Sequence, residues 1–512
     1  MADAESTSGR VARNALFLYL RMLVLLFVGL FTSRVVLQAL GVEEYGIYNV
    51  VGGVVGLFAF LRNTMTNATI RFLAYEQGRR DKRKLEETFA ASLTIHTILA
   101  VAVVLLVESL GWWLLNSKLV IPAERMGTAV AVFHLSALSC LVSIIVTPFH
   151  ALITAHERMK VFAGISSIEA LCKLAIAALL LVASCDRLLL YASLLFAVGM
   201  LVHLITVGYC LREFEECKCH WTLPRQTALP MLKYSGWNLL PGMSDVARTQ
   251  GVSILLNTFF GPVVNAASAV ASQVQVALLG FTENIITAAK PQIIKLYAAG
   301  ERDLFQLLIS RISRYSYFLM LFFSVPVLVE TDQIMGLWLV EVPEYAVSFC
   351  RLIIVNNWIS ILFRALGIGI TATGRVSHFS LINSLLYILV LPLSWVLLDR
   401  GYSATVPFIW NIVLLFIGQG VFALLNMSYL LKWFNLWSFV RQVVLKCVMI
   451  TLLVLLLPLW IHGQMPPTFM RVVVVVLVSL LSSSAIICLV GFAQNERAYL
   501  LNAIRKYTLW PR

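Results

Sequence analysis

About fourteen stretches of roughly twenty apolar residues follow one another along this chain, each long enough to cross a hydrocarbon core of ~30 Å. They run over 15–40, 46–74, 88–110, 126–153, 161–183, 188–211, 232–259, 263–289, 307–330, 345–373, 377–398, 404–430, 442–461 and 470–492. A chain that is 60% hydrophobic and only 13% charged over 512 residues cannot cover a soluble surface. The fold class that follows is an all-α polytopic membrane protein of about fourteen transmembrane helices. Residues 1–13 are short and polar, and the apolar run after them is too long for a signal h-region, so no cleavable leader is expected.

The net charge of +13 lies mainly in the links between these stretches. With the N-terminus inside, cytoplasmic segments collect about 26 of the 39 Lys+Arg, including Arg79, Arg80, Lys82, Arg83 and Lys84. The outside links hold Lys118, Arg125, Arg187, Arg400 and Arg471. That bias predicts a multi-pass protein with both termini in the cytoplasm. No basic run is interleaved with aromatics, which argues against nucleic acid as a partner. Cys217-x-Cys219-His220 lacks a fourth ligand nearby and reads as reduced loop thiols rather than a zinc site. No metal or organic cofactor is expected.

Residues 32–87 return in weaker form at 252–308. Gly41 answers to Gly261, and Tyr75, Gly78 and Asp81 answer to Tyr297, Gly300 and Asp303 with a two-residue insertion. A unit used twice in the same direction predicts two six-helix lobes related by a pseudo-two-fold axis along the membrane normal. The lobes are read as 1–212 and 232–434, with a cytoplasmic linker at 213–231 that carries Pro224 and Pro230. Residues 435–512 then supply two additional C-terminal transmembrane helices and a cytoplasmic tail.

Eight basic residues remain inside or at the edges of the apolar stretches. Arg21, Arg71 and Arg351 lie near predicted ends and can snorkel, and Lys173 has Glu169 one turn before it. Arg34, Arg62, Arg248 and Arg364 lie deeper, where an arginine costs about 2.5–3.5 kcal/mol unless it faces water or a partner. Arg364 shares an arc of about 80°, at ~100° per residue, with Asn357, Ser360, Gly367 and Thr371. Asn238, Gly242, Asp245 and Thr249 form a second polar face with Arg248 at its edge. Asn265, Gln273, Gly280, Asn284 and Thr287 form a third, with Glu283 at its edge; Asn49, Gly52, Gly56, Asn63 and Asn67 form a fourth. The small residues also serve close helix packing, and the amides serve interhelical hydrogen bonds. Only Asp245 and Glu283 are available to neutralise the deep arginines, so the expectation is a water-filled cavity between the lobes with surplus positive charge. Guanidinium groups present paired donors to phosphate oxygens and stay charged at any working pH, which suits a diphosphate.

The segments RVVLQALGVEEYGIYNV (Arg34 to Val50) and IRFLAYEQG (Ile70 to Gly78), with fourteen helices in two lobes, resemble the Wzx-type polysaccharide and oligosaccharide-lipid flippases. These belong to the MOP superfamily, which also holds lipid II flippases and MATE drug exporters. The resemblance implies translocation of an undecaprenyl-diphosphate-linked oligosaccharide across the bacterial inner membrane by alternating access, for O-antigen, lipopolysaccharide or capsule biosynthesis. It makes Arg34, Arg62, Arg248 and Arg364 the candidate substrate-binding cations. It implies H+ or Na+ coupling, with Asp245 and Glu283 as candidates among the polar lining of Asn63, Asn67, Asn238, Gln273, Asn284 and Asn357. Membrane lipid, the lipid-linked substrate, and a polysaccharide polymerase with its chain-length machinery are the implied partners.

A MATE-like cation-coupled multidrug antiporter shares this fold, but cationic drugs favour acidic and aromatic pockets over arginine. A lipid II flippase is the other alternative within the fold, and fold alone does not choose between substrates. A membrane glycosyltransferase, ligase or polymerase needs acids or bases on a sizeable loop, and no outside link here is long enough. No GxxxxGK[ST] phosphate loop is present. The chain is therefore read as a transporter, not an enzyme.

Overall fold

A computed structural model describes residues 2–492 except 57–64, 67–68, 71, 74–75, 78–80, 118, 157 and 219–223. Side chains are described from residue 28 onward, apart from 159–160, 163, 218, 225, 233–239, 284, 287–288, 291, 295 and 298. Among the described residues all regular structure is helical.

The helices are α1 (Ala2–Gly56), α2 (Lys82–Ser117), α3 (Met126–Ala155), α4 (Met159–Val182) and α5 (Arg187–Glu213). They continue as α6 (Arg225–Phe260), α7 (Pro262–Ala298), α8 (Arg302–Val329), the short α9 (Thr331–Trp338), α10 (Ala346–Ala372) and α11 (Ser377–Asp399). The last three are α12 (Val406–Leu430), α13 (Leu436–Gln464) and α14 (Phe469–Gly491). Eleven helices among the described residues are long and apolar enough to span a membrane. They coincide with eleven of the stretches read from the sequence; of the other three, 15–40 and 232–259 lie in α1 and α6 but include side chains outside the described set, and 46–74 includes residues outside it. Leu105, Leu204 and Leu481 are each more than 60% exposed, as side chains facing lipid rather than water must be.

The chain divides into two compact units. The first comprises Met1–Val270, Leu339–Tyr345 and Tyr387–Ala404. In it α3 packs along α2 and α5, while α4 lies against α1 and α5. Phe89 and Phe149 meet edge to face at 5.2 Å at the centre of a buried apolar cluster that also holds Leu73, Leu152 and Phe214. With no hydrophobic drive between helices in lipid, such shape-matched contacts and interhelical hydrogen bonds hold the bundle.

The two glycines matched in the sequence repeat adopt the same backbone conformation. Gly41 breaks α1 at φ 78°, ψ 170°, and Gly261 separates α6 from α7 at φ 81°, ψ −172°. This region is essentially open to glycine alone. The turns they make touch within the first unit: a Cβ on Gly46 would lie 1.9 Å from the Pro262 carbonyl oxygen. Close by, the Ser253 hydroxyl donates to Asn265 at 2.8 Å, and buried Asn257 accepts from the Val120 N–H at 2.9 Å.

The second unit comprises Ala271–Trp338, Ala346–Leu386 and Thr405–Arg512. Its axis is α8, which packs against α10, α13 and α14. The C-terminal pair is docked through polar contacts as well as apolar ones. Glu330, fully buried at the end of α8, takes both Arg471 Nη2 and Nε at 3.0 Å and His462 Nδ1 at 2.8 Å. Tyr317 and Thr451 share a buried hydrogen bond of 2.8 Å. α12 opens to π-helical pitch over Phe416–Phe422, where Gly418 and Gly420 are buried.

Candidate functional site

Two of the four deep arginines are fixed by acids in the described structure, each inside one unit. Arg248 on α6 donates from Nη2 to Asp245 Oδ1 at 2.6 Å, one turn away. Its guanidinium carbon stands 4.7 Å from the centre of the Tyr387 ring, a cation–π arrangement in the first unit. The Arg248 side chain is only 12% exposed, whereas Asp245 is 53% exposed. Arg34 is half-buried on α1 between core positions Ser33 and Val35.

In the second unit Arg364 on α10 reaches Glu283 on α7, with Nη2 to Oε1 at 2.5 Å. Arg364 also lines a cavity of about 270 Å³ together with Lys290, Thr371 and Gln419, between the rings of Phe363 and Phe379. Among the described residues, two cations and one acid leave a positive surplus there. Lys290 and Glu283 are seven residues apart on α7 and so share a helix face. The π-helical stretch of α12 carries Gln419 into the same lining, as such bulges commonly do at functional positions. Arg364 lies eight residues before the end of α10, about 12 Å at 1.5 Å per residue.

The other residues singled out by sequence distribute unevenly. Asn357 is fully buried and accepts from Gln275 Nε2 at 3.2 Å, so the amide contact to α10 comes from Gln275, two residues past half-buried Gln273. Arg62, Asn63 and Asn67 lie outside the described residues, and so do the side chains of Asn238 and Asn284. Arg351, expected to snorkel, is paired with Asp332 at 2.6 Å. Arg21 and Arg71 lie outside the described side chains. Lys290 and Gln419 were not picked out by sequence, because Lys290 was assigned to a link and Gln419 stood alone in an apolar run. The signal for Lys290 was the helical spacing from Glu283, which continues past the expected end of the helix at 289.

Residues 11–297, more than half of the chain, match the family model described as polysaccharide biosynthesis protein. The chain belongs to that family. Among solved structures, the family member is similar to a lipid II flippase MurJ in an inward closed conformation, at 10% identity and TM-score 0.68. That match covers 92% of this chain and 98% of the other. It is similar also to an inward-facing multidrug resistance MATE family transporter of the MOP superfamily, at 14% identity and TM-score 0.60. There the coverage is 80% of this chain and 96% of the other. These likenesses show that the chain shares the fold of those two proteins. No curated protein matches the chain.

Proposed function

We propose that this polysaccharide biosynthesis protein is a flippase for an undecaprenyl-diphosphate-linked oligosaccharide, moving it from the cytoplasmic to the periplasmic leaflet of a bacterial inner membrane. The glycan would serve a surface polysaccharide of the O-antigen, lipopolysaccharide or capsule type. The observation that carries the reading is the cationic cavity of the second unit, where Arg364 and Lys290 converge with Thr371 and Gln419. A permanent guanidinium charge with hydroxyl and amide donors beside it is the lining a diphosphate requires. Drug cations would be repelled by the same surplus.

The Arg364–Glu283 pair gives the cycle a physical step. Without substrate, Glu283 satisfies the guanidinium and limits the cost of holding it among apolar helices. A phosphate group offers the guanidinium two oxygens and more charge than the single carboxylate contact, so substrate displaces Glu283 as the partner of Arg364. Glu283, released, would then be free to bind H+ or Na+ and would serve as the ion-coupling residue. Asp245 holds the corresponding position beside Arg248 in the first unit. Alternating access with both termini cytoplasmic completes the proposal.

Deleting the gene in its own host and analysing surface glycan and lipid-linked intermediates tests it. Wild type restores the surface glycan. Arg364→Ala and the double substitution Lys290→Ala/Arg364→Ala, expressed at equal levels, leave undecaprenyl-linked oligosaccharide accumulating in the cell. Unchanged glycan on deletion, accompanied by altered drug sensitivity, moves the protein to the exporter class.

A further inference from the structure

The first unit contains a larger cavity of a different character, about 650 Å³, lined by residues of α1, α3, α4 and α5. This volume is within the ~300–1,000 Å³ typical of small-molecule sites. None of the residues proposed above to bind the diphosphate lines it.

α3 supplies a row of Ser136, Ser139, Ser143 and Thr147 at helical spacing, ending in His150. α5 faces it with His203, whose ring lies 6.1 Å from that of His150, and with Gly199, which leaves room for Ser139 opposite. α4 contributes Ser166, Glu169 and Lys173. Lys173 Nζ is bound to Glu169 Oε1 at 2.6 Å, so among the described residues the two charged side chains of the lining pair with each other. Tyr48, Phe162 and Phe196 provide aromatic surface around this polar strip.

Each class of occupant meets this lining differently. A phosphate would find the lysine already held by a carboxylate. An acyl chain would place hydrocarbon against the Lys173–Glu169 ion pair and the His150 and His203 rings, which is costly. An uncharged polyol meets both requirements. Ser136 and Thr147 donate to carbonyls of their own helix at 2.8–2.9 Å, and a hydroxyl that donates in this way keeps acceptor capacity for a ligand O–H group. The aromatic rings match the apolar C–H faces of pyranose rings.

We propose that this cavity is a binding site for neutral sugar residues, separate from the cationic cavity of the second unit. It rests on the flippase reading for the source of the ligand, the glycan portion of the lipid-linked substrate. The binding chemistry itself is independent of transport.

The test is equilibrium dialysis of the purified full-length protein against radiolabelled neutral tri- to pentasaccharides of hexose, 6-deoxyhexose and N-acetylhexosamine units. The expected result is saturable binding of at least one of them. Ser143→Trp, which fills the cavity, weakens it by about ten-fold or more, while Arg364→Ala leaves it unchanged. Ser139→Leu serves as the second cavity-filling variant where the tryptophan protein does not fold, as judged by its thermal transition. Absence of binding across the whole panel overturns the proposal, and so does binding that survives a folded cavity-filling variant. Sugar-free undecaprenyl phosphate that binds and is lost with the same substitutions overturns it in favour of a lipid-tail site. Because no transport is measured, failure here leaves the flippase reading standing, and failure of transport leaves the sugar site standing.

Discussion

At the scale of single residues, charges decide the account. Arg364 sits where a hydrogen bond to a charged partner is worth about 1.5–3 kcal/mol. Its removal is therefore expected to weaken binding of a lipid-linked diphosphate by about ten- to a hundred-fold, measurable with the purified protein and a fluorescent polyprenyl diphosphate. The pairing of Arg364 with Glu283, 81 residues away, was invisible in the sequence because helical periodicity orders residues only within one helix. The pairing of Arg248 with Asp245 was legible, since three residues on a helix make neighbours. Away from the spans, Gln77 Nε2 lies 3.0 Å from His156 Nδ1, and His156 Nε2 donates to Glu216 at 2.6 Å. Burial pushes the Glu216 carboxyl up, but the hydrogen bonds from His156 and its own backbone N–H, with the charges of His156 and Lys82, hold it below its usual 4.5. A carboxyl lowered by folding adds stability above its unfolded value and loses it as pH falls through the folded one. The thermal stability gap between wild type and Glu216→Gln should thus be full above about pH 4.5 and close as the pH drops further.

At the scale of elements, the turns and caps fix how helices enter and leave the bundle. Gly41 and Gly261 were matched as a repeat from sequence, and their shared backbone conformation gives that match a physical cause. A Cβ at either position brings strain of about 1–3 kcal/mol. Gly41→Ala should lower the thermal midpoint accordingly, and Gly46→Ala should do so through collision with the Pro262 carbonyl. The C-terminal hairpin was read as an apolar pair with Arg471 in the link before its second helix. Instead Arg471 occupies the first turn of α14 and is buried with Glu330. Removing one partner of a buried ion pair strands the other, so Arg471→Ala should cost about 3–5 kcal/mol in detergent unfolding. Replacing Glu330 and Arg471 together by apolar residues should cost less. The serine row on α3 was passed over in sequence because isolated hydroxyls in an apolar run usually satisfy their own helix, and these do so while still lining a cavity.

At the scale of the whole molecule, the membrane fold was the most legible feature, because the requirement for ~20 apolar residues per span leaves a strong mark on sequence. Eleven spans recur within the described residues, and the family match covers residues 11–297. Substrate chemistry was less legible, since the cationic cavity assembles Lys290, Arg364 and Gln419 from three distant helices. The measurement that tests the central claim most directly uses proteoliposomes loaded with undecaprenyl-diphosphate-linked oligosaccharide on one leaflet. Arrival at the other leaflet is followed with a membrane-impermeant lectin or glycosidase. The account predicts translocation well above protein-free vesicles for wild type, and about ten-fold slower or less for Arg364→Ala. Wild-type vesicles no faster than empty ones, or Arg364→Ala as fast as wild type, would contradict it.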